Sequence, residues 1–83
     1  MKITVKYFAS IRETIGQGSE QIDTATTTLA GLRDELITRS PAHAESLARG
    51  KAVRMALNQI MSDESAALSQ GCEVAFFPPV TGG

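Results

Sequence analysis

The chain has 83 residues, of which 42% are hydrophobic and 20% charged, and its net charge at neutral pH is -1. That length makes one domain with a modest core, near the lower limit for folding without disulfides or metals. A single cysteine, Cys72, excludes an internal disulfide and a ferredoxin-type iron–sulfur cluster, and cations scattered along the chain exclude nucleic acid as the main partner.

The lone cysteine fits a reducing compartment. After Met1-Lys2 the chain alternates polar and apolar residues instead of building a signal-peptide core, and nothing nears the ~18 apolar residues of a membrane span. The expectation is a soluble, cytoplasmic protein without membrane contact.

Residues 2–8, KITVKYF, alternate with period two and predict a strand, with Ile3, Val5 and Tyr7 on one face and Lys2, Thr4, Lys6 and Phe8 on the other. Ser10 and Glu13 have the S-x-x-E spacing of a capping box. With Phe8, Ile11 and Ile15 at helical spacing and Gly16 as a left-handed stop, they predict a short helix over 10–15. Residues 19–25 read as a weaker strand carried by Ile22. The threonines at 26–28 offer N-caps to a longer helix whose stripe is Leu29, Leu32, Leu36 and Ile37, with Arg33, Asp34 and Arg39 in water. Ser40-Pro41 ends it, because the residue before proline leaves the α region. Residues 41–51, polar and small, read as a loop with one helical turn.

VRMALN (53–58) alternates again, Asn58-Gln59 predicts a turn, and Ile60-Met61 a short strand. Residues 62–70 read as loop. Gly71 turns the chain into EVAFF (73–77), with Val74 and Phe76 on one face and Ala75 and Phe77 on the other. The first and last strands are the strongest and pair as central, parallel neighbours, the helices supplying the crossover a parallel pair needs. The predicted fold is α+β: a β-grasp (ubiquitin-like) mixed sheet over residues 1–77, with one long helix across one face and a short helix.

The chain then runs out on Pro78, Pro79, Val80, Thr81, Gly82 and Gly83. Neither proline has an N–H to donate, so the ladder cannot continue, and both favour extended backbone. Residues 78–83 therefore read as an extended, flexible arm reaching roughly 20 Å. Gly82 and Gly83 carry no side chain to block a narrow slot, and a terminal carboxylate is ionised at neutral pH. A carboxylate is a poor acyl donor; as an acyl adenylate it gains a good leaving group, which sulfur can displace to give a thiocarboxylate. A thin arm on a rigid head suits delivery of such a group into another protein's active site.

The ending GCEVAFFPPVTGG resembles the C-terminus of the small, sulfur-carrier subunits of molybdopterin synthases, whose pattern reads roughly G-D-E-V-A-hydrophobic-P-P-V-(S/A/T)-G-G. VKYFASIRETIG is similar to that family's opening strand and helix, and VRMALNQ to its third strand and turn. The resemblance implies a non-catalytic sulfur donor, adenylated at Gly83 by an ATP-dependent activating enzyme and thiocarboxylated with sulfur from a donating enzyme. The chain itself would bind no cofactor. It would insert its tail into a large catalytic subunit within a heterotetramer, where the sulfur turns cyclic pyranopterin monophosphate into a dithiolene. Carried over, Gly83 bears the sulfur and Gly82, Thr81 and Val80 thread the channel. Phe77, Pro78 and Pro79 anchor the arm, and Phe8 and Met61 extend the partner-binding patch.

Cys72 departs from the family's usual acidic residue and reads as an exposed turn residue with no part in the chemistry. Other outcomes of the same fold are a sulfur carrier of thiamine thiazole synthesis, a ubiquitin-like modifier joined through Gly83 to lysines, and a plain interaction module. Phe8 fits an exposed patch or a second small core under the short helix. His43 has no metal-ligand partners at suitable spacing, Asp34-Glu35 and Asp63-Glu64 read as solvated acids, Asn58 as a turn residue and Arg12 as solvated. No phosphate-binding loop is present, so a partner handles ATP.

Overall fold

The computed structural model describes residues 1–79. Strand β1 (Lys2–Tyr7) leads into helix α1 (Ala9–Ile15) and strand β2 (Ser19–Asp23); helices α2 (Leu29–Ile37) and α3 (Pro41–Leu47) follow, then strands β3 (Arg54–Leu57), β4 (Ile60–Ser62) and β5 (Glu73–Phe77). The five strands form one sheet in the order β2-β1-β5-β3-β4. Its centre is the expected parallel pair, with Val5 opposite Val74 and Tyr7 opposite Phe76; the flanking pairs are antiparallel.

Period two in the strands and helical spacing in α2 converge on one core. Ile3, Val5, Tyr7, Met55, Val74 and Phe76 from the sheet's inner face pack with Ile11, Leu29, Leu32, Leu36 and Leu47 from the helices. Each fully buried leucine or valine stabilises the fold by about 1.5–3 kcal/mol. Thr28 caps α2, its hydroxyl accepting the Gly31 N–H at 3.2 Å, and Gly16, at φ 89°, ends α1 with its N–H on the Arg12 carbonyl.

The structure corrects five sequence expectations. The Ser10/Glu13 capping box does not form, because α1 starts at Ala9 and leaves Ser10 inside the first turn. Phe8 occupies the cap position: its N–H still belongs to the sheet, donating to the Phe76 carbonyl at 3.1 Å, while its own carbonyl accepts from Ile11 and Arg12. The long helix stops after nine residues, and the stretch read as a loop with one helical turn folds as the seven-residue helix α3. Ser40 explains this second helix: its hydroxyl accepts the His43 N–H at 3.1 Å, and Pro41 stands in the first turn, where a missing N–H costs nothing.

Arg33 is not solvated. It is 5% exposed, and its guanidinium donates to the carbonyls of Leu47, Ala48 and Lys51 and to Glu64. A helix stripe widened by α3 encloses position 33, and the fork of donors satisfies the carbonyls that the chain presents after α3 ends. Cys72 is likewise buried, at 3% exposure. It shares the parity of Val74 and Phe76, so the inward face of β5 continues back to it after the turn at Gly71, φ 78°.

Candidate functional site

Strand β5 reaches its end between two neighbours. Phe76 lies opposite Tyr7 on one side and Met55 on the other, and Phe77 lies opposite Arg54. The Phe8 N–H to Phe76 carbonyl bond is the last rung on the β1 side. Pro78 and Pro79 follow directly without N–H groups, so the ladder stops in the middle of the sheet rather than at an edge. The expected sites Val80, Thr81, Gly82 and Gly83 lie outside the described residues.

Around this exit the outward-facing parity of each strand collects apolar side chains. Phe8 and Phe77 meet edge to face, their ring centroids 6.5 Å apart. Lys6, Ala75, Ala56 and Met61 form a row across four strands through the registers of β1, β5, β3 and β4. The two alanines in the middle lie low between larger side chains. Phe8 is 46% and Met61 55% exposed, whereas the inward Phe76 is fully covered. Of the two fates open to Phe8, the structure shows the exposed one. Phe8, Phe77 and Met61 are thus on one side of the molecule, with Phe8 and Phe77 in contact and Met61 two strands from β5.

Two hollows flank the exit. An open groove of about 600 Å³ runs along the start of β3 and the end of β4, between Lys51, Val53, Arg54 and Met55 on one wall and Met61 and Asp63 on the other. A smaller cleft of about 140 Å³ lies between α1 and α3, with Pro78, Ile11, Val53 and Lys51 in its lining. Nothing in the sequence pattern announced either one, because both depend on where α3 and its following loop settle.

A buried polar cluster sits on the helix side. The Glu20 carboxylate accepts from the Tyr7 hydroxyl at 2.7 Å, pairs with Arg39 at 3.3 Å, and meets His43 Nε2 at 2.8 Å; His43 Nδ1 lies 2.7 Å from the Ser40 hydroxyl. Burial acts to raise the Glu20 pKa, but the hydrogen bonds from His43 and Tyr7 and the Arg39 charge outweigh it and hold the carboxyl below its usual range. Burial first, then the bond to Glu20, push the Tyr7 hydroxyl upward. This cluster fastens α3 to β1 and β2. His43 is therefore a satisfied core residue, and among the described residues no group of three or more His, Cys, Asp or Glu is placed to hold a metal ion.

The strand order, the helices on one face and the central parallel pair of first and last strands define a β-grasp, ubiquitin-like domain. The chain belongs to the ThiS family, whose sequence pattern matches residues 5–83 and so runs through the Gly-Gly end. It is 37% identical over 81 residues to the molybdopterin synthase sulfur carrier subunit of Haemophilus influenzae, covering 98% of this chain and 99% of that one. Among solved structures, SAMP1 from Haloferax volcanii superposes with a TM-score of 0.80 at 25% identity, both chains covered in full. A complex of subunits 1 and 2 of the molybdopterin-converting factor from Helicobacter pylori contains a similar chain, with a TM-score of 0.70, 26% identity and full coverage of both chains. The family resemblance read from the C-terminal motif and the β-grasp fold read from element order are both borne out.

Among the described residues no helix is long and apolar enough to cross a membrane.

Proposed function

We propose that the chain is the sulfur-carrier subunit of a molybdopterin synthase. Gly83 carries the sulfur, and a large catalytic subunit receives it. The observation that carries this reading is the position of the exit: β5 stops in the centre of the sheet, beside the Phe8–Phe77 pair. The residues that follow start beside the surface that a partner would cover, so docking and delivery are one event. The relative's name and the Helicobacter pylori complex support the choice of partner.

In this reading an activating enzyme joins the Gly83 carboxylate to AMP, releasing pyrophosphate from ATP. A sulfide-level sulfur from a donating enzyme then attacks the acyl carbon, the bond to AMP breaks, and a thiocarboxylate remains. Val80, Thr81 and Gly82 thread the channel of the large subunit, where the sulfur passes to the pterin precursor. The chain supplies position and a reactive end; the partners supply the catalytic groups and bind the ATP.

Whole-protein mass tests the first half: incubation with the activating enzyme, ATP and a sulfur source adds about 16 Da, one oxygen replaced by sulfur. Deleting Gly83 removes that gain while leaving the fold intact. Persistence of the 16 Da gain in the deletion variant would place the sulfur at another carboxyl group, whereas a gain of about 32 Da would mark a persulfide at Cys72. Mixing the sulfurated protein with the pterin precursor and the large subunit tests the second half, by formation of dithiolene. Ladders of target-linked conjugates without dithiolene would instead favour a protein modifier.

A further inference from the structure

Of the eight lysines and arginines, Lys6, Arg33, Arg39 and Arg49 have carboxylate partners. Lys51 and Arg54 have none among the described residues, and both line the groove along the start of β3. The acids on the facing wall are already engaged. Asp63 accepts the N–H and hydroxyl of Ser65, and Glu64 takes both Arg33 and Arg49. The groove therefore offers two uncommitted cations beside the apolar side chains of Val53, Met55 and Met61 in its lining. It is also continuous with the patch at the arm's exit, because Arg54 lies directly opposite Phe77 and Met61 lies opposite Ala56.

The wall carrying these cations is held from beneath. Buried Arg33 donates to the carbonyls of Leu47 and Lys51 at 2.8 and 3.0 Å and so fixes the backbone between α3 and β3. A surface held this way meets a partner with little ordering cost.

The geometry points to this groove as the seat of a segment of the large subunit that carries a carboxylate beside an apolar side chain. The carboxylate meets Lys51 and Arg54, and the apolar group covers Val53 and Met61. This rests on the reading of the chain as a sulfur carrier for a large subunit. It adds a charge-reading contact next to the arm, where a rim charge acts mainly on association rate and partner choice.

Binding of the large subunit to the full-length chain is measured at low and high salt for the wild type, the Lys51→Gln/Arg54→Gln double variant and Lys2→Gln, a control at the opposite end of β1. The double variant binds about tenfold more weakly at low salt, with a shallower salt dependence, and the control binds like the wild type. Lys51→Glu/Arg54→Glu weakens binding further, while thermal unfolding of all variants stays near the wild type. Wild-type affinity and salt dependence in the double variant would overturn the inference and leave the sulfur-carrier reading standing. Absence of binding by the wild type would overturn both.

Discussion

The ring of Phe8 stands edge-on to that of Phe77, with planes at 84° and centroids 6.5 Å apart, while Phe76, one residue earlier, is stacked on Tyr7 inside the core. Adjacent residues of one strand thus serve opposite faces. Phe77→Ala should cost about 1 kcal/mol, the worth of an aromatic pair at a partly open site. Phe76→Ala should cost about 3–5 kcal/mol, because it empties a fully covered position. Binding to the large subunit should follow the reverse order, Phe77→Ala weakening it at least tenfold. Denaturant unfolding and a binding titration on the same preparations check both halves. Equal destabilisation by the two variants would mean the faces are misassigned.

Arg33 supports a separate prediction. Its removal leaves three carbonyls in the 47–51 segment without their donor, and each buried unsatisfied group costs about 1–3 kcal/mol. Arg33→Met, which keeps the aliphatic stem, should lower stability by about 3 kcal/mol in denaturant unfolding. Arg33→Lys should recover little, since one ammonium cannot span the planar fork. Hydrogen exchange should quicken at residues 48–53 before it does in β1 or β5. A variant as stable as the wild type would show that the 47–51 segment holds itself.

The elements legible in the sequence are those with strong local periodicity. Val5, Tyr7, Val74 and Phe76 alternate cleanly, and the two strands they define lie together at the sheet's centre. Leu29, Leu32 and Leu36 recur at helical spacing and are fully buried. The rest depended on tertiary context. Pro41–Leu47 has only Leu47 as a large apolar residue, so its helix is visible through Ser40 and Pro41 alone. Arg33 and His43 are polar residues whose burial depends on partners far away in the chain: the carbonyls beyond α3 for one, Glu20 for the other. In the apolar part of the candidate site, strand parity put Phe77 outside and left Phe8 open between an exposed patch and a second small core, while Met61 came from the resemblance rather than from parity. The charged part was not legible, because Lys51 and Arg54 stand out only once the folded chain puts both, without carboxylate partners, in the lining of one groove.

Glu20 makes stability depend on pH. Its carboxyl is held below the usual range in the folded protein, so it binds a proton less readily there than in the unfolded chain. The stabilisation is complete above the ordinary value of about 4.3 and is lost as pH falls through the depressed folded value. Melting temperature should therefore drop as pH is lowered from about 4.5. In Glu20→Gln, which keeps a carbonyl acceptor for Tyr7 and His43 but no charge, the drop over the same window should be smaller. Asp34 and Asp63, also held low by Arg49 and Ser65 respectively, are exposed and leave a residual slope in both proteins. Parallel pH profiles for the two proteins would show that Glu20 is not linked to folding.

The β3–β4 turn is built from residues that do not suit it equally. Asn58 and Gln59 both have positive φ, 50° and 68°, the requirement of a two-residue type I′ hairpin loop. Asparagine tolerates that region and here also fixes the turn, its side-chain oxygen accepting the Glu73 N–H at 3.0 Å. Glutamine gains no such bond and bears the steric cost of the left-handed conformation, about 1–2 kcal/mol. Gln59→Gly gives the favoured Asn-Gly pair and should stabilise the fold by about 0.5–1 kcal/mol after the entropy of a freer unfolded chain is counted. Asn58→Ala should act in the opposite direction, losing both the conformational tolerance and the bond to β5. Urea midpoints with unchanged slopes provide the measurement. A Gln59→Gly protein no more stable than the wild type would mean that the strands, not the turn residues, set this hairpin's geometry.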